Sequence, residues 1–471
     1  MSDANRTALY MVKESTWGET PDGTATFKET PSTGDTLAIS KLVADRATIK
    51  SNRMGAKMRH VGTDVAGDTT HELTHGDTED MISGLLADNA AETVDINAET
   101  CTTSASGNTI TADSGTPFSA LVTLNPKWIK VAGGAQSGTN KIHKVTSITS
   151  SVITVAAGSL TTDETSVALD IDAAVYTNGT DDVSFLIERD LTDTNHHFWF
   201  NGCIPTTGTL NIEPRSIIDL SVSWIGKTGD VGLAGASGYL VNDASVSAGA
   251  TTLTVDTGTR VLYKGQKFTI AGDATVYTLT ATTAASATSL AFTPALVEAS
   301  PDDAVITLAP DPQLTVGDGS PTADSGDDAM NSSSDVLGVY IDDTVVTECI
   351  SNISISIDNG HRLKPCVDRL ETAKPGQNRF RVTGSITFHF TASAFPNYAD
   401  FLTHATKSLA LGLQDPAGNF IGIEIPAFTF DTSPGPVPSG EDTDVVLQLD
   451  FSAFEPSTAP ARLIGVSYIS A

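Results

Sequence analysis

Apolar and polar residues alternate along most of the chain. Ile353-Ser354-Ile355-Ser356-Ile357, Val382 to Phe390 and Val445 to Phe451 each place one apolar face at a period of two, the spacing of a half-buried strand. Thr, Val, Ile and Ser fill such runs, and Gly, Asp, Asn and Pro separate them. Two segments instead space their apolar residues three to four apart. Asp77 to Ala87 begins with acidic residues and is expected to be a helix. A second helix is expected from about Pro396 to Thr406, with Tyr398, Phe401 and Leu402 on one side. The expected fold class is mainly β.

Repeats organise these elements. Thr109-Ile110-Thr111-Ala112-Asp113-Ser114-Gly115 matches Thr252-Leu253-Thr254-Val255-Asp256-Thr257-Gly258, and Trp128 to Gly133 echoes Phe268 to Gly272. Ile142 to Leu160 follows the pattern of Tyr277 to Leu296. Residues 96–180 and 236–312 are therefore expected to be two copies of a small β module. A weaker repeat lies outside them. Gly67 to Leu73 precedes the first helix as Gly384 to Phe390 precedes the second. The order hairpin, strand, helix, strands occurs twice, which predicts a duplicated β-sandwich core with one flanking helix per half. The expected divisions are 1–95 and 181–235 for the first half, modules at 96–180 and 236–312, a Gly/Ser/Asp-rich linker at 313–335, and 336–471 for the second half.

Composition narrows the function. Across 471 residues, 57 Asp and Glu stand against 27 Lys and Arg, a net charge of −30. That balance argues against gripping nucleic acid through its phosphates, but not against letting it slide past. The start, Met1-Ser2-Asp3-Ala4-Asn5-Arg6, carries no apolar run, so no cleaved secretion signal is expected. No stretch approaches eighteen apolar residues, so no membrane insertion is expected. Cys101, Cys203, Cys349 and Cys366 form no CxxC pair, and each is expected to be a small core residue in a reduced compartment.

Candidate chemistry is sparse. His71-Glu72-Leu73-Thr74-His75 matches HExxH, whose two histidines chelate zinc when they share a helix face. Here Gly67 precedes and Gly76 follows, which argues for a strand; the histidines would then lie roughly 13 Å apart at about 3.3 Å per residue, too far for one ion. Strand histidines facing a surface or cavity are expected. His196 and His197 are adjacent, so in a strand they face opposite sides. Asp302-Asp303 and the loop of Asp324, Asp327 and Asp328 lack EF-hand spacing and read as solvated loops. No catalytic residue, cofactor or metal is expected, and the chain is not expected to be an enzyme.

The basic residues are clustered. Eleven of the 27 fall within 46–59 and 362–381, on the long hairpin before the repeated strand in each half. Lys50, Arg53, Lys57, Arg59, Arg362, Lys364, Arg369 and Lys374 are the candidate contacts, because a basic arm on an acidic body is suited to meet another copy of that body.

The opening Ala8-Leu9-Tyr10-Met11-Val12-Lys13-Glu14-Ser15-Thr16-Trp17-Gly18-Glu19-Thr20-Pro21 resembles that of tail tube proteins from long non-contractile-tailed bacteriophages. Their form is an apolar strand followed by a KE-x-x-(W/Y)-G-x-T-P turn. Gly67 to Leu86 resembles their strand–helix signature. Ile355 to Gly360, Arg381 to Thr387, Leu413 to Asn419 and Ile425 to Phe428 resemble the family's C-terminal half. The resemblance implies a virion tail subunit, assembled in the bacterial host cytoplasm. Its rings would stack, and their joined strands would enclose an acidic channel for DNA passage. The inserted modules would decorate the outside. A ring of three duplicated chains is expected, with a hexamer as the alternative. The implied partners are further copies of the chain, the tape measure, tail terminator and distal tail proteins, and DNA that passes without sticking. The competing reading is a β-rich surface adhesin or decoration protein that binds host glycans through its modules.

Overall fold

The computed structural model describes residues 6–18, 27–47, 54, 57–191, 196–233, 235–243, 245–256, 258, 262, 264, 267–281, 283–284, 286–308, 322–436, 438, 444–457 and 461–471. The chain is mainly β, and its strands follow the alternation of the sequence. Eight strands run side by side in one sheet. Ala38–Ala44 pairs with Arg59–Glu72, then come Asp219–Gly226 and His196–Ile212. The sheet continues through Ile350–Asp358, Arg381–His389, Val446–Ala453 and Phe420–Thr432.

The duplication is visible residue by residue. Each half contributes four neighbouring strands in the same order. In the first half a short strand, Ser32–Asp35, precedes Ala38–Ala44 on the same partner and is irregular between Ser32 and Gly34; in the second, Ile350–Asp358 is irregular between Ile350 and Asn352. Each half also has an irregularity in its long strand, between Pro205 and Thr207 and between Phe430 and Thr432. Each half also builds a second layer. In the first, Thr7–Lys13 pairs with Phe185–Leu191, which pairs with the start of His196–Ile212. In the second, Val336–Ile341 pairs with Lys407–Gln414, which pairs with the start of Phe420–Thr432. One hydrophobic core lies between the layers of both halves, with Trp224, Phe185, Ile355, Phe388 and Phe428 among its members.

The first expected helix forms as α1, Glu79–Leu86, with Glu79 and Asp80 in its first turn. It stops at Ala87, a left-handed residue (φ 53°) whose amide bonds Gly84 O. A third, short helix not anticipated from the pattern, α2, spans Ser119–Leu124. Its six residues bury only Leu121 and Leu124, too short a run to show a helical period. The second expected helix forms as α3, Phe395–Thr403, ended by left-handed His404 (φ 53°).

The two modules repeat in topology as well as sequence. Strands Trp128–Ala132, Lys141–Ile148, Val152–Val155 and Thr109–Ala112 pair in succession. Lys267–Ile270, Asp273–Leu279, Ser289–Thr293 and Thr252–Thr254 do the same. Each encloses its own apolar cluster, around Phe118, Ile129 and Leu169 in the first and around Tyr239, Phe268 and Tyr277 in the second. Residues 313–321 of the expected linker lie outside the described residues. Beyond them Met330 is buried in the main core, and the Ser325 hydroxyl donates to Asp77 Oδ2 at 2.7 Å.

The cysteines divide. Cys101 and Cys203 are buried, as expected, but Cys349 and Cys366 are exposed, because both fall in connections outside the paired strands.

Candidate functional site

Strand alternation gives the eight-stranded sheet two chemically opposite faces. The inner positions Val65, Leu220, Val222, Trp224, Ile355, Ile357, Ile386 and Leu449 enter the core. Partners across the ladders then define polar rungs on the other face. One rung reads Asp68, Ser223, Thr207, Asp358, Arg381. The next reads Thr70, Ser221, Thr209, Ser356, Thr383, Ser452. A third reads Glu72, Asp219, Asn211, Ser354, Ser385, Asp450. Short hydroxyls and carboxylates thus cover an area spanning both halves. Ser354 Oγ donates to Asn211 Oδ1 at 2.8 Å across the junction of the halves. With Asp64, six carboxylates stand on this face, against Arg381 and His389. The sequence concealed this face because Thr and Ser occupy inner positions as well, such as the buried Thr69.

The hairpin ends form the second surface. Lys57, Arg59, Arg362, Lys364 and Arg369 are exposed. Lys374 opens the strand Lys374–Gln377, which pairs with His361–Lys364. Lys50 and Arg53 lie outside the described residues. The two hairpins meet at one end of the sheet, where the Thr63 amide donates to Leu370 O at 2.9 Å. Exposed Leu42, Val43, Met58, Val61 and Val367 accompany the basic residues there.

The HExxH residues are not a helix. His71 lies in the strand Arg59–Glu72, and His75 follows its end. Both are buried, which corrects the expectation of surface- or cavity-facing histidines. Position 71 alternates inward, so His71 Nε2 meets Thr69 Oγ1 at 2.8 Å, which also accepts Trp224 Nε1–H at 2.8 Å. Burial pulls the His71 imidazole down to about 4. His197 is also buried, with Nδ1 at 3.1 Å from Glu188 and 3.2 Å from Asp190. Among the described residues, no group of three or more His, Cys, Asp or Glu is placed to hold a metal ion.

The opening motif is a latch. Lys13 pairs with Asp80 in the first turn of α1 at 2.8 Å. The Glu14 carboxylate accepts the amides of Gly18 (2.6 Å) and Gly202 (2.7 Å) and the Ser184 hydroxyl (2.7 Å). Trp17 Nε1 donates to Gly202 O at 3.1 Å, and Lys227 Nζ sits 5.2 Å over its ring. Gly18 adopts φ +65°, which favours glycine. A family model described as phage tail tube protein matches residues 4–294 and again residues 242–453. The chain belongs to the phage tail tube family. It is a structural subunit of the virion tail, made to assemble with copies of itself and with other tail proteins. Comparison with curated proteins finds no match. In this tail tube protein the opening residues tie the first strand to α1, to Ser184 and to the long strand of the first half.

Proposed function

We propose that three copies of the chain close into a ring of six tube halves, and that the Ser/Thr/Asp face lines the channel through which DNA leaves the virion. One observation carries this reading. The halves are joined edge to edge inside the chain, by the ladder from Thr207↔Asp358 to Ile212↔Ile353. Repetition of that joint between chains supplies a neighbour for the outer strand Ala38–Ala44 and for the free side of residues 428–432. The family model's two overlapping matches, at 4–294 and 242–453, support a chain built of two tube units, which we place at 1–95 with 181–235 and at 336–471.

Magnitudes favour three chains over six. At about 4.8 Å between strands and a tilt near 40°, roughly 24 strands close a barrel about 50 Å across between backbones. Six chains of eight strands double that to about 100 Å, far wider than a DNA duplex requires. Six carboxylates per chain make the wall repel phosphates, so DNA slides without being trapped. The first module packs on the second layer, away from the polar face: Trp128 lies against Phe420, with ring centroids 5.0 Å apart. This supports a module on the exterior, where bulk does not obstruct the channel. The resemblance of the opening residues supports a long, non-contractile tail.

Class averages of purified rings test the count: three chains per ring are expected, and six equivalent chains overturn the trimer. Tubes carrying Asp68→Lys, Asp219→Lys and Asp450→Lys test the wall. They are expected to retain duplex DNA with a steep salt dependence. Indifference to DNA at low salt removes these residues from the channel.

A further inference from the structure

A lysine and an aspartate meet in the joint between the first module and the second half. Lys144 stands across the ladder from buried Trp128, and its side chain is 2% exposed. Its Nζ lies 2.5 Å from Asp343 Oδ1 and donates to Val145 O at 2.8 Å. The centroid of the Tyr340 ring is 5.4 Å from the same nitrogen. Lys127 Nζ also reaches Asp343, at 3.3 Å from Oδ1 and 3.4 Å from Oδ2. Asp343 occupies the left-handed region (φ 58°) beside Asp342, whose own carboxylate is taken up by Lys407 and the Ser408 amide.

We propose that Lys144 and Asp343 condense to an isopeptide bond, which joins the first module covalently to the second half. The bond needs one folded chain and does not depend on the ring. Loss of water disfavours an ammonium and frees the amine as a nucleophile. Burial pulls Lys144 below the ordinary ammonium value; Asp343 pulls it back, and the charge of Lys127 adds to the lowering. The 2.5 Å contact carries one proton from Nζ to Oδ1, which leaves an amine beside a carboxylic acid. The amine lone pair forms the N–Cγ bond, and the C=O electron pair moves onto an oxygen that the Lys127 ammonium stabilises. The nitrogen then gives a second proton to the departing hydroxyl, the Cγ–O bond breaks, and the carbonyl re-forms. Ammonium and carboxylate have become an amide and one water, with no oxidant or co-reactant. Held partners replace a chance encounter, and Lys144 has already lost the hydration that opposes condensation in water. Asp343, with its side chain 33% exposed, leaves the released water a way out. Lys127 is the poorer nucleophile, being 21% exposed and farther from the carboxylate. The Trp128 indole shields Lys144, so Trp128→Ala should lose the bond together with the docking.

Intact-mass spectrometry of the denatured full-length protein tests the proposal. The wild type is expected to be lighter than its sequence by one water. Proteolysis should release a branched peptide that carries both Lys144 and Asp343. Lys144→Arg keeps the charge and the bulk but removes the amine, and it should show its full sequence mass. Asp343→Ala should do the same. On denaturing gels the wild type should run ahead of both variants, because the bond ties together residues 199 apart. Folded wild type that keeps its full mass after prolonged incubation holds only an ion pair here, and the proposal falls. A loss of water that persists in Lys144→Arg, or that maps to other residues, overturns it equally. Neither result bears on the tube reading, which the class averages decide.

Discussion

Leu85 and Leu402 stand at the same place in the two halves, each two residues before the left-handed residue that ends its helix. Leu85 is fully buried over Gly208, where a Cβ would come within 2.4 Å of its side chain. Leu402 is 65% exposed. The difference follows from what each helix faces. The second half covers α1, and Asn359 Nδ2 donates to Gly84 O at 3.4 Å. Among the described residues nothing covers α3 in this way: Tyr398 and Phe401 pack against the core, while Leu402 and Phe395 stay exposed. Leu85→Ala should cost about 2–5 kcal/mol in chemical denaturation of the isolated chain. Leu402→Asp should leave that stability within about 0.5 kcal/mol and prevent ring closure in size-exclusion chromatography with light scattering. Normal rings from Leu402→Asp would remove α3 from the lateral joint.

Glu14 fixes two backbone amides and a hydroxyl at once. Burial pushes its carboxyl above the ordinary range, against the lowering pull of those hydrogen bonds and of Lys227. Replacing it with Ala orphans the donors of Gly18 and Gly202 in a confined site. Glu14→Ala is expected to lose on the order of 2–4 kcal/mol. A denaturation midpoint equal to that of the wild type would show that water replaces the carboxylate without loss.

His143 makes stability depend on acidity. Its Nε2 lies 2.9 Å from Thr139 O, which can only accept, so Nε2 carries the proton and Nδ1 accepts from Ser159 Oγ at 2.7 Å. Burial lowers the imidazole from 6.5 to about 4. The folded module therefore holds the neutral ring. Above pH 6.5 neither state binds the proton and there is no penalty. As pH falls from 6.5 to 4 the unfolded chain takes up a proton that the folded one refuses. Stability drops over that window, by up to about 3 kcal/mol for this residue. His143→Gln should flatten the slope of denaturant stability against pH between 6.5 and 4, whatever its effect at neutral pH. An unchanged slope would assign the acid sensitivity elsewhere.

Much of this architecture was legible in the chain because its rules are local. Period-two alternation marked Ile353 to Ile357 and Val382 to Phe390, and the acidic start and apolar spacing marked α1. The match of Gly67 to Leu73 with Gly384 to Phe390 revealed the duplication, since both segments pair at the same place in the sheet. The polar face was not legible. Whether Thr70 or Thr69 points outward depends on the register with Asp219–Gly226, a strand more than a hundred residues away. The inward turn of His71 has the same origin.

Trp128 joins the first module to the second half, although it belongs to neither principal core. It packs with Phe420, Tyr340 and Ile142 in a small cluster of its own. It lies flat where Gly412 and Gly422 leave room; a Cβ on either would come within 2.6 Å of the indole. Around it the Lys127 amide donates to Glu424 Oε2 at 2.9 Å, Lys144 pairs with Asp343 at 2.5 Å, and Arg462 pairs with Glu424 and donates to Leu124 O at 2.9 Å. The module's own core, around Phe118, Ile129 and Leu169, excludes Trp128. Removing the indole should therefore undock the module without unfolding it. Trp128→Ala is expected to weaken docking by about 3–5 kcal/mol. Hydrogen exchange should then rise in Lys407–Gln414 and at the start of Phe420–Thr432, while amides of Lys141–Ile148 and Val152–Val155 keep their protection. Loss of protection in both regions together would mean that the module depends on the joint for its fold.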